Sequence, residues 1–331
     1  MIDNIKYIIS YQYNPYKNLA LEEYLLKNVL DNQCIFYLWQ NEKTVVIGKN
    51  QNPWKECKIE ALTEDGGNLV RRLSGGGAVF HDLGNLNFTF LVRKENYDLE
   101  KQLQVILKAV RNLGIPAEKS GRNDITVDGR KFSGNAFYSD GINNYHHGTI
   151  LINVDMSMLS HYLNVARAKL ESKGVNSVRS RVVNLGEYRL DLDIDLMKKE
   201  LIKAFGQVYG LTPELLDDKS LSLKKIDKLE DKFSSWEWKY GRKLEFSDAY
   251  EERFPWGNIE IQYLVDKGII KDCVAYSDAL NIEFFERLGS SLIGCRYAAQ
   301  DIINAINDIA VNEETEIIRR NIIGMIKEYQ Q

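Results

Sequence analysis

The order of strand-like and helix-like patterns is the feature that most constrains the fold of this chain. From Leu86 to Val92 apolar residues alternate with polar or small ones, as a half-buried strand requires. From Leu99 to Leu113 the apolar residues recur at helical spacing, and Gly114 ends the pattern. Along the whole chain the two patterns mix without a strict β-α-β alternation. We therefore predict an α+β fold, a mainly antiparallel sheet with helices on one side, and not a doubly wound parallel fold.

Other elements follow from the same periodicities. We predict helices near residues 15–29 and 194–208, strands at 35–39, 44–47, 69–72 and 149–154, and a hairpin turn at Asp128-Gly129. The polar stretch 217–232 is predicted as a surface loop or a short helix. A second hairpin turns at Lys267-Gly268, and helices then run to the end of the chain.

Length and composition limit the class of protein. The chain has 331 residues, room for about two domains. We place the boundary near residues 246–254, with a larger domain at 1–246 and a small α+β domain at 254–331. A net charge of −4 is a poor match for non-specific nucleic-acid binding or an anionic membrane. Without a signal-peptide pattern or a long apolar run, the expected location is the cytoplasm.

The four cysteines carry no metal or redox motif. Cys34, Cys57, Cys273 and Cys295 form no CxxC pair, and no histidine lies at metal-ligand spacing from any of them. We expect reduced and mostly buried thiols.

The most unusual segment is residues 71–82, RRLSGGGAVFHD. Three consecutive glycines are costly to order, and they suit a loop whose backbone approaches a ligand and presents amide N–H groups to an anion. The alternative is a flexible surface turn, but apolar strand residues flank the glycines. The segment is neither a P-loop nor a dinucleotide fingerprint. On a strand Arg71 and Arg72 would point to opposite faces, so we expect one of them to reach the ligand.

Polar residues follow the glycine loop. His81 and Asp82 could act as an acid–base pair, or they could be a structural pair that pins the loop. Asn85 and Asn87 should lie on the same side of the predicted strand.

Two further segments hold chemically useful residues. Lys131 follows the predicted hairpin turn and precedes a Ser-Gly-Asn step, where backbone can again approach a ligand. Such a lysine usually faces solvent, and the small residues behind it favour a binding role. Asp124 is a reasonable carboxylate for Mg²⁺ held by phosphates. The adjacent His146 and His147 should point apart, which argues against a shared metal.

These residues resemble a known family. The runs RRLSGGGAVFHDLGNLNFTF, GRNDITVDGRKFSGNAFY and HHGTILINVDMSML are similar to bacterial lipoate–protein ligase A. The runs YNPYKNLALEEYLL, NPWKEC, SVRSRVVNL and SSWEWKYGRKLEFS fit as well, so the resemblance covers essentially the whole chain. It implies the catalytic fold shared with biotin ligases and octanoyltransferases, followed by a small accessory domain.

The resemblance also implies an activity and its residues. Lipoate attacks the α-phosphate of ATP to give lipoyl-AMP, and a lysine of an acceptor lipoyl domain then takes the lipoyl group. Lys131 is the implied catalytic residue. The implied ATP-binding residues are Arg72, Gly77, Ala78, Val79, Phe80, Asn123, Asp124 and Lys131, with Mg²⁺ at Asp124. The implied lipoate-binding residues are Ser74, Gly75, Gly76, His81, Lys131 and His147.

Other functions stay open at this point. A transferase of the same fold would move octanoyl or lipoyl groups without ATP, in some relatives through a cysteine, but the four cysteines lie outside the three segments. Biotin ligation and a non-enzymatic lipoyl-binding role fit less well. The expected acceptors are the E2 subunits of 2-oxoacid dehydrogenases, the glycine-cleavage H protein, or both. We expect a monomer that binds neither nucleic acid nor membrane.

Overall fold

The structure is a computed structural model that describes residues 1–121, 124–164, 182–217, 221–241 and 244–329. The chain divides into two compact units. Unit 1 comprises residues 1–46, 57–70 and 79–238, and unit 2 comprises residues 47–56, 71–78 and 239–331. The 254–331 span that we predict as an accessory domain lies within unit 2, together with two segments from the first third of the chain. Each unit is described by itself.

Unit 1 is built on an eight-stranded sheet. Its strands are β1 (Asn4–Ile9), β2 (Gln33–Trp39), β6 (Asn85–Arg93), β7 (Ala117–Ser120), β8 (Asp124–Val127), β9 (Arg130–Ser139), β10 (Asn143–Leu151) and β11 (Glu214–Leu215). Their spatial order is β11-β1-β2-β6-β10-β9-β8-β7. β1 runs parallel to both β11 and β2, and the remaining neighbours are antiparallel. The predicted α+β fold with a mainly antiparallel sheet is confirmed.

The chain up to residue 240 also contains a smaller sheet and several helices. The small sheet has the order β4 (Asn68–Arg71), β3 (Thr44–Ile47) and β5 (Val79–His81). The helices up to residue 240 are α1 (Pro15–Asn28), α2 (Pro53–Glu56), α3 (Ile59–Glu64), α4 (Leu99–Asn112), α5 (Met156–Tyr162), α6 (Ile194–Tyr209), α7 (Leu223–Ser234) and α8 (Trp236–Tyr240). Short 3-10 helices cover Lys94–Asn96 and Leu185–Glu187.

Helices cover both faces of the large sheet, which corrects the expectation of helices on one side. On one face Phe88 and Phe90 of β6 belong to the apolar core that α4 and α6 complete. On the other face Thr89 donates a hydrogen bond to Glu22 of α1. The physical reason is that β6 is buried at every position except Arg93, so it needs a layer on each side.

Two predicted segments differ in extent from the observed elements. The strand predicted at 149–154 is the end of β10, which begins at Asn143 and stops at Leu151. Its first half contains asparagine, histidine and glycine, which give a weak strand signal. Residues 217–232 are predicted as a surface loop or a short helix, and most of their described part belongs to helix α7. Ile226 and Phe233 are the buried residues of this helix.

Unit 2 is a three-stranded antiparallel sheet packed with helices. Its strands are β12 (Asp248–Phe254), β13 (Gly257–Asp266) and β14 (Ile269–Ser277), and its helices are α9 (Ile282–Leu292), α10 (Ala299–Asn307) and α11 (Glu313–Tyr329). The predicted turn has positive φ at both Lys267 and Gly268, as a tight hairpin requires. A separate apolar core that includes Ile259, Phe285 and Ile322 holds the unit together.

Across the described ranges, no helix is long and apolar enough to cross a membrane.

Candidate active site

Lys131 stands at the start of β9, on the predicted hairpin. Asp128 and Gly129 both adopt positive φ, so the two-residue turn has the twist that a β-hairpin favours. The pairing of β8 with β9 then shifts register, because Thr126 faces Lys131 while Ile125 faces Ser133. Such a bulge places one extra residue in a strand and turns the neighbouring side chains.

The Lys131 side chain lies over the backbone of Gly134. A Cβ atom at Gly134 would fall 2.9 Å from both Cε and Nζ of Lys131, so the glycine makes room for the ammonium group. Nζ is 2.6 Å from Oδ1 of Asp124, the register partner of Gly134. Both side chains are a little over one third exposed, so the ion pair contributes about 1 kcal/mol or less to stability. It fixes the ammonium group and leaves it accessible to a ligand.

A polar row borders this lysine on one face of the large sheet. The Gly134 N–H lies 3.3 Å from Thr149 Oγ1, and Thr149 pairs with Asn87 across β10 and β6. Asn85 Nδ2 donates to Asn87 Oδ1 at 2.9 Å, which confirms that the two amides share a side.

His147 belongs to a buried hydrogen-bonded network on the same face. Its Nδ1 lies 2.9 Å from Oε1 of Glu22, and that oxygen also accepts a bond of 2.7 Å from Thr89 Oγ1. Trp39 Nε1 donates to Thr89 Oγ1 at 3.1 Å. Glu22 is 1% exposed, so these bonds offset the cost of burying a carboxylate. The Tyr145 ring packs against the imidazole.

His146 points to the opposite face, as predicted for two adjacent strand residues. Its ring nitrogens lie 3.2 Å from Gln102 Oε1 and 2.8 Å from Asn135 Oδ1, and the imidazole stacks on Phe90. Complete burial, reinforced by the neighbouring His147, lowers the pKa of His146 to about 3. The ring is therefore a neutral part of the core.

His81 and Asp82 have separate partners. His81 Nδ1 lies 3.3 Å from Asn41 Nδ2, and the ring sits edge-on to Trp39, the residue that also bonds the His147 network through Thr89. The two histidines implied in lipoate binding are thus both connected to Trp39, His81 by a ring contact and His147 through Glu22 and Thr89. The Asp82 carboxylate accepts backbone N–H bonds from Gly84 and Asp155, which supports the structural role for this residue.

Val79 and Phe80 form the strand that follows the glycine loop. They pair with Val46 and Val45 in the small sheet. Phe80 is buried and packs against the ring of Tyr162 in α5, whereas Val79 is half-buried.

The glycine loop itself belongs to unit 2, where Arg72 organises it. Arg72 Nε donates to Ser74 Oγ at 3.0 Å, and Nη2 donates to the carbonyls of Gly75 and Gly77 at 2.7 and 2.8 Å. Four of the residues implied in substrate binding are thereby brought together. Arg72 is only 6% exposed, so it braces the loop from within.

The glycines of the loop have different reasons to lack a side chain. A Cβ at Gly75 would lie 2.5 Å from the Ala279 carbonyl oxygen, and Gly76 adopts a φ of +90° with its N–H bonded to that oxygen. Gly77 is exposed, and apart from its own chain neighbours no atom of the described residues lies within 4 Å of its hypothetical Cβ. Protein packing therefore accounts for Gly75 and Gly76, and Gly77 faces open space beside Ala78.

The remaining predicted ligands concern metals and cysteines. Asn123 lies outside the described residues. Within the described ranges, no group of three or more histidine, cysteine or acidic side chains could hold a metal ion by itself. All four cysteines are free, and burial raises the pKa of Cys34, Cys57 and Cys273 to about 12. Thiols of this kind are poor nucleophiles.

Comparison with known proteins identifies the family. Residues 14–206 match the model described as Lipoyl protein ligase A/B catalytic domain, and residues 243–326 match Bacterial lipoate protein ligase C-terminus. A lipoate-protein ligase A of Psychrobacter cryohalolentis is 42% identical over 297 residues, which cover 87% of this chain and 88% of the relative. The chain belongs to the lipoate–protein ligase A family. The resemblance read from its motifs is confirmed.

Solved structures of the same family share the fold. P. falciparum LipL1, in complex with lipoate, superposes with a TM-score of 0.85 at 32% identity, covering 97% of this chain and 99% of LipL1. A lipoate-protein ligase A bound with ATP gives a TM-score of 0.63 at 25% identity, covering 73% of this chain and 99% of that one. The expected family architecture, a catalytic domain followed by a C-terminal domain, is confirmed.

Sequence reasoning missed several residues of this site. Glu22 falls four residues after the buried Asn18 on α1, so the helical period could have placed both on one polar stripe. Thr89 continues the alternation of Asn85 and Asn87 along β6. Nothing in the sequence distinguishes the role of Arg71 from that of Arg72.

Proposed function

We propose that this chain is an ATP-dependent lipoate–protein ligase, which joins lipoate to AMP and then transfers the lipoyl group to a lysine of an acceptor protein. Family membership supports the reaction. The observation that carries the assignment of the site is the Lys131 ammonium group, held by Asp124 over the side-chain-free Gly134. A fixed cation that is still accessible suits a reaction in which two anions, a carboxylate and a phosphate, must approach each other.

In the first step the lipoate carboxylate attacks the α-phosphorus of ATP, and pyrophosphate leaves. Lys131 would neutralise charge on the α-phosphate oxygens and on the incoming carboxylate, and so stabilise the transition state. The attacking carboxylate has no proton to lose, so this step needs no base and Lys131 acts as an electrostatic group. Positioning of the two anions would supply much of the rate.

We assign nucleotide binding to the glycine loop and the strand that follows it. Arg72 fixes the loop through the carbonyls of Gly75 and Gly77, and Gly77 leaves open space for the adenylate. Ala78, Val79 and Phe80 continue this segment. Asn123 would belong to the same set.

We assign lipoate binding to the polar face of the sheet and the first half of the loop. His81 contacts Trp39, and the Glu22 network holds His147 in place. Lys131 would meet the carboxyl end of lipoate. We also assign Ser74, Gly75 and Gly76 to lipoate binding. A buried environment protects the mixed anhydride from water.

We propose that Mg²⁺ binds at this site together with the phosphates of ATP. Mg²⁺ is commonly bound by one or two protein carboxylates with the remaining ligands from phosphate and water, and Asp124 is one partly exposed carboxylate. Asp124 would hold the ion, which supplies neutralisation of phosphate charge.

In the second step the ε-amine of an acceptor lysine attacks the lipoyl carbonyl, and AMP leaves. Lys131 would stabilise the oxyanion that forms on this carbonyl. We propose lipoyl domains as acceptors, either in E2 subunits of 2-oxoacid dehydrogenases or in the glycine-cleavage H protein. We further propose that the enzyme works as a monomer.

The direct test is adenylate formation without any acceptor. The protein is incubated with ATP, Mg²⁺ and lipoate, and lipoyl-AMP and pyrophosphate are quantified. We expect equal amounts of both, and neither when lipoate or ATP is omitted. Transfer of a lipoyl group from a lipoylated carrier without ATP would instead identify a transferase and remove the role given to Lys131.

A further inference from the structure

Arg71 is a buried cation with an unusual set of acceptors. Arg71 is the last residue of β4, and it is 1% exposed. Nη1 donates to the carbonyl oxygens of Gly48, Lys49 and Gln51 at 3.2, 3.0 and 2.7 Å. Nη2 donates to the carbonyl of Lys239 at 2.6 Å. One guanidinium group thus gathers main-chain oxygens from two segments far apart in the sequence.

The segment 48–51 lies directly against the glycine loop. The Lys49 N–H donates to the Ser74 carbonyl at 2.9 Å. A Cβ at Gly48 would fall 2.2 Å from the Gly76 carbonyl oxygen, so the two backbones touch. The side chain of Gln51 accepts the Gly48 N–H at 2.8 Å and fixes the turn. Any shift of the 48–51 segment would therefore move the loop.

The same segment is bonded to the C-terminal part of unit 2. The Ser277 N–H donates to the Asn50 carbonyl at 2.9 Å, and Asn50 Nδ2 donates to the Ile282 carbonyl at 3.0 Å. Residues 48–51 are thus a platform between the glycine loop and the residues around 277–282. We call them the 48–51 platform.

The two adjacent arginines therefore do different work. Arg72 bonds groups within the glycine loop, from Ser74 to Gly77. Arg71 bonds the platform on which the loop rests and ties it to Lys239. Only a planar fork of several donors can reach carbonyls in such different directions.

We infer that Arg71 is a positioning residue for adenylate formation. It holds the 48–51 platform so that Gly75, Gly76 and Gly77 keep the arrangement that receives the nucleotide, and it does so without touching the substrate. This inference rests on the proposed function of the glycine loop. Sequence alone suggested that one of the two arginines reaches the ligand, and the bonds of Arg71 go to the platform and to Lys239.

The test compares Arg71→Lys with the unchanged protein in lipoyl-AMP formation at varied ATP. A lysine keeps the charge but cannot bond all four carbonyls. Because small misplacements of positioning groups are costly, we expect kcat/KM for ATP to fall about 100-fold. Calorimetry with Mg-ATP should show weaker binding to the folded variant.

A destabilised control separates positioning from stability. Ile306→Ala removes buried side-chain atoms in the core of unit 2, far along the chain from the platform. It should lower the melting temperature yet keep kcat/KM for ATP when assayed well below that temperature. If Arg71→Lys does not fold, Gln51→Met replaces it as the test variant. Gln51→Met removes only the side-chain acceptor for the Gly48 N–H, and it should lower kcat/KM for ATP about tenfold.

The outcomes are distinct. A protein of unchanged sequence that makes no lipoyl-AMP would defeat the proposed function itself. Active unchanged protein together with a folded Arg71→Lys or Gln51→Met variant of unchanged kcat/KM for ATP would overturn the positioning role. An equal loss in Ile306→Ala would overturn it as well.

Discussion

The glycine loop and the Lys131 hairpin are held in opposite ways. In unit 2 the buried Arg72 guanidinium group bonds the loop from within, and Gly75 is pressed against the Ala279 carbonyl. In unit 1 the Lys131 ammonium group forms a partly exposed ion pair with Asp124. The first arrangement is closed by packing, and the second leaves its charged group accessible to a ligand. The contrast indicates that Arg72 shapes the loop, whereas Lys131 is placed to contact a ligand.

The largest effect is expected for Lys131→Ala. Removal of the ammonium group should reduce lipoyl-AMP formation by about 10³-fold, because the charge it neutralises develops in the transition state. The circular dichroism spectrum and the melting temperature should stay close to those of the unchanged protein, since the ion pair contributes little stability. Lys119→Ala, another lysine in an ion pair on the same sheet, is the matched control and should keep full activity. Near-normal turnover of Lys131→Ala would contradict its assignment.

Two glycine substitutions sharpen the contrast within the loop. Gly75→Ala places a methyl group 2.5 Å from a backbone oxygen, so both the melting temperature and ATP binding should fall. The added methyl group of Gly77→Ala has open space among the described residues, so this variant should keep the melting temperature. It should lower ATP affinity about tenfold by intruding on the nucleotide. Calorimetry with Mg-ATP and thermal unfolding measure the two effects. Unchanged ATP affinity in Gly77→Ala would remove this residue from the nucleotide site.

Asp124→Asn tests how far the lysine depends on its partner. Without the carboxylate the ammonium group loses its fixed position, and we expect kcat for adenylate formation to fall about tenfold. The dependence on Mg²⁺ concentration should also weaken if Asp124 holds the ion. Asp128→Asn in the same hairpin is the control, because asparagine also tolerates positive φ, and it should leave kcat unchanged. Equal effects of the two substitutions would contradict a specific role of Asp124.

The smallest effect concerns stability at low pH. The pKa of His146 is about 3 in the folded protein, below the ordinary histidine value of about 6.5 in the unfolded chain. The unfolded state therefore binds more protons, and the free energy of unfolding decreases as pH falls from about 6.5 towards 3. The slope from this group is about 1.4 kcal/mol per pH unit. Denaturant titrations between pH 7 and pH 5 should show a shallower pH dependence for His146→Gln, and an identical dependence would refute the assignment.

The alternation of apolar residues predicted much of the fold. The strand at 86–92, the helix at 99–113 and the turn at Asp128-Gly129 all have strong local signals, and the structure contains them. The layer of helix on the second face of the large sheet was missed, because the alternation along β6 predicts a strand buried on one side only. Asn85, Asn87 and Thr89 on its polar side are buried, and the Glu22 partner of Thr89 comes from an element distant in sequence.

For the candidate site, the sequence predicted which types of residue take part but not how they are arranged. Lysine, arginine and glycine in unusual runs indicated the candidate segments, since such residues are costly without a function. The roles of Glu22, Gly134 and Arg71 depend on contacts that form only in the folded chain. Arg71 and Arg72 have the same side chain, and only their hydrogen-bond partners distinguish them.

The central claim is ATP-dependent lipoylation of a protein, and intact-mass analysis of an apo lipoyl domain tests it most directly. The domain is incubated with the enzyme, lipoate, ATP and Mg²⁺, and each component is omitted in turn. The account predicts addition of one lipoyl group that requires both ATP and lipoate and that disappears with Lys131→Ala. Modification without ATP, or its persistence in Lys131→Ala, would contradict the account.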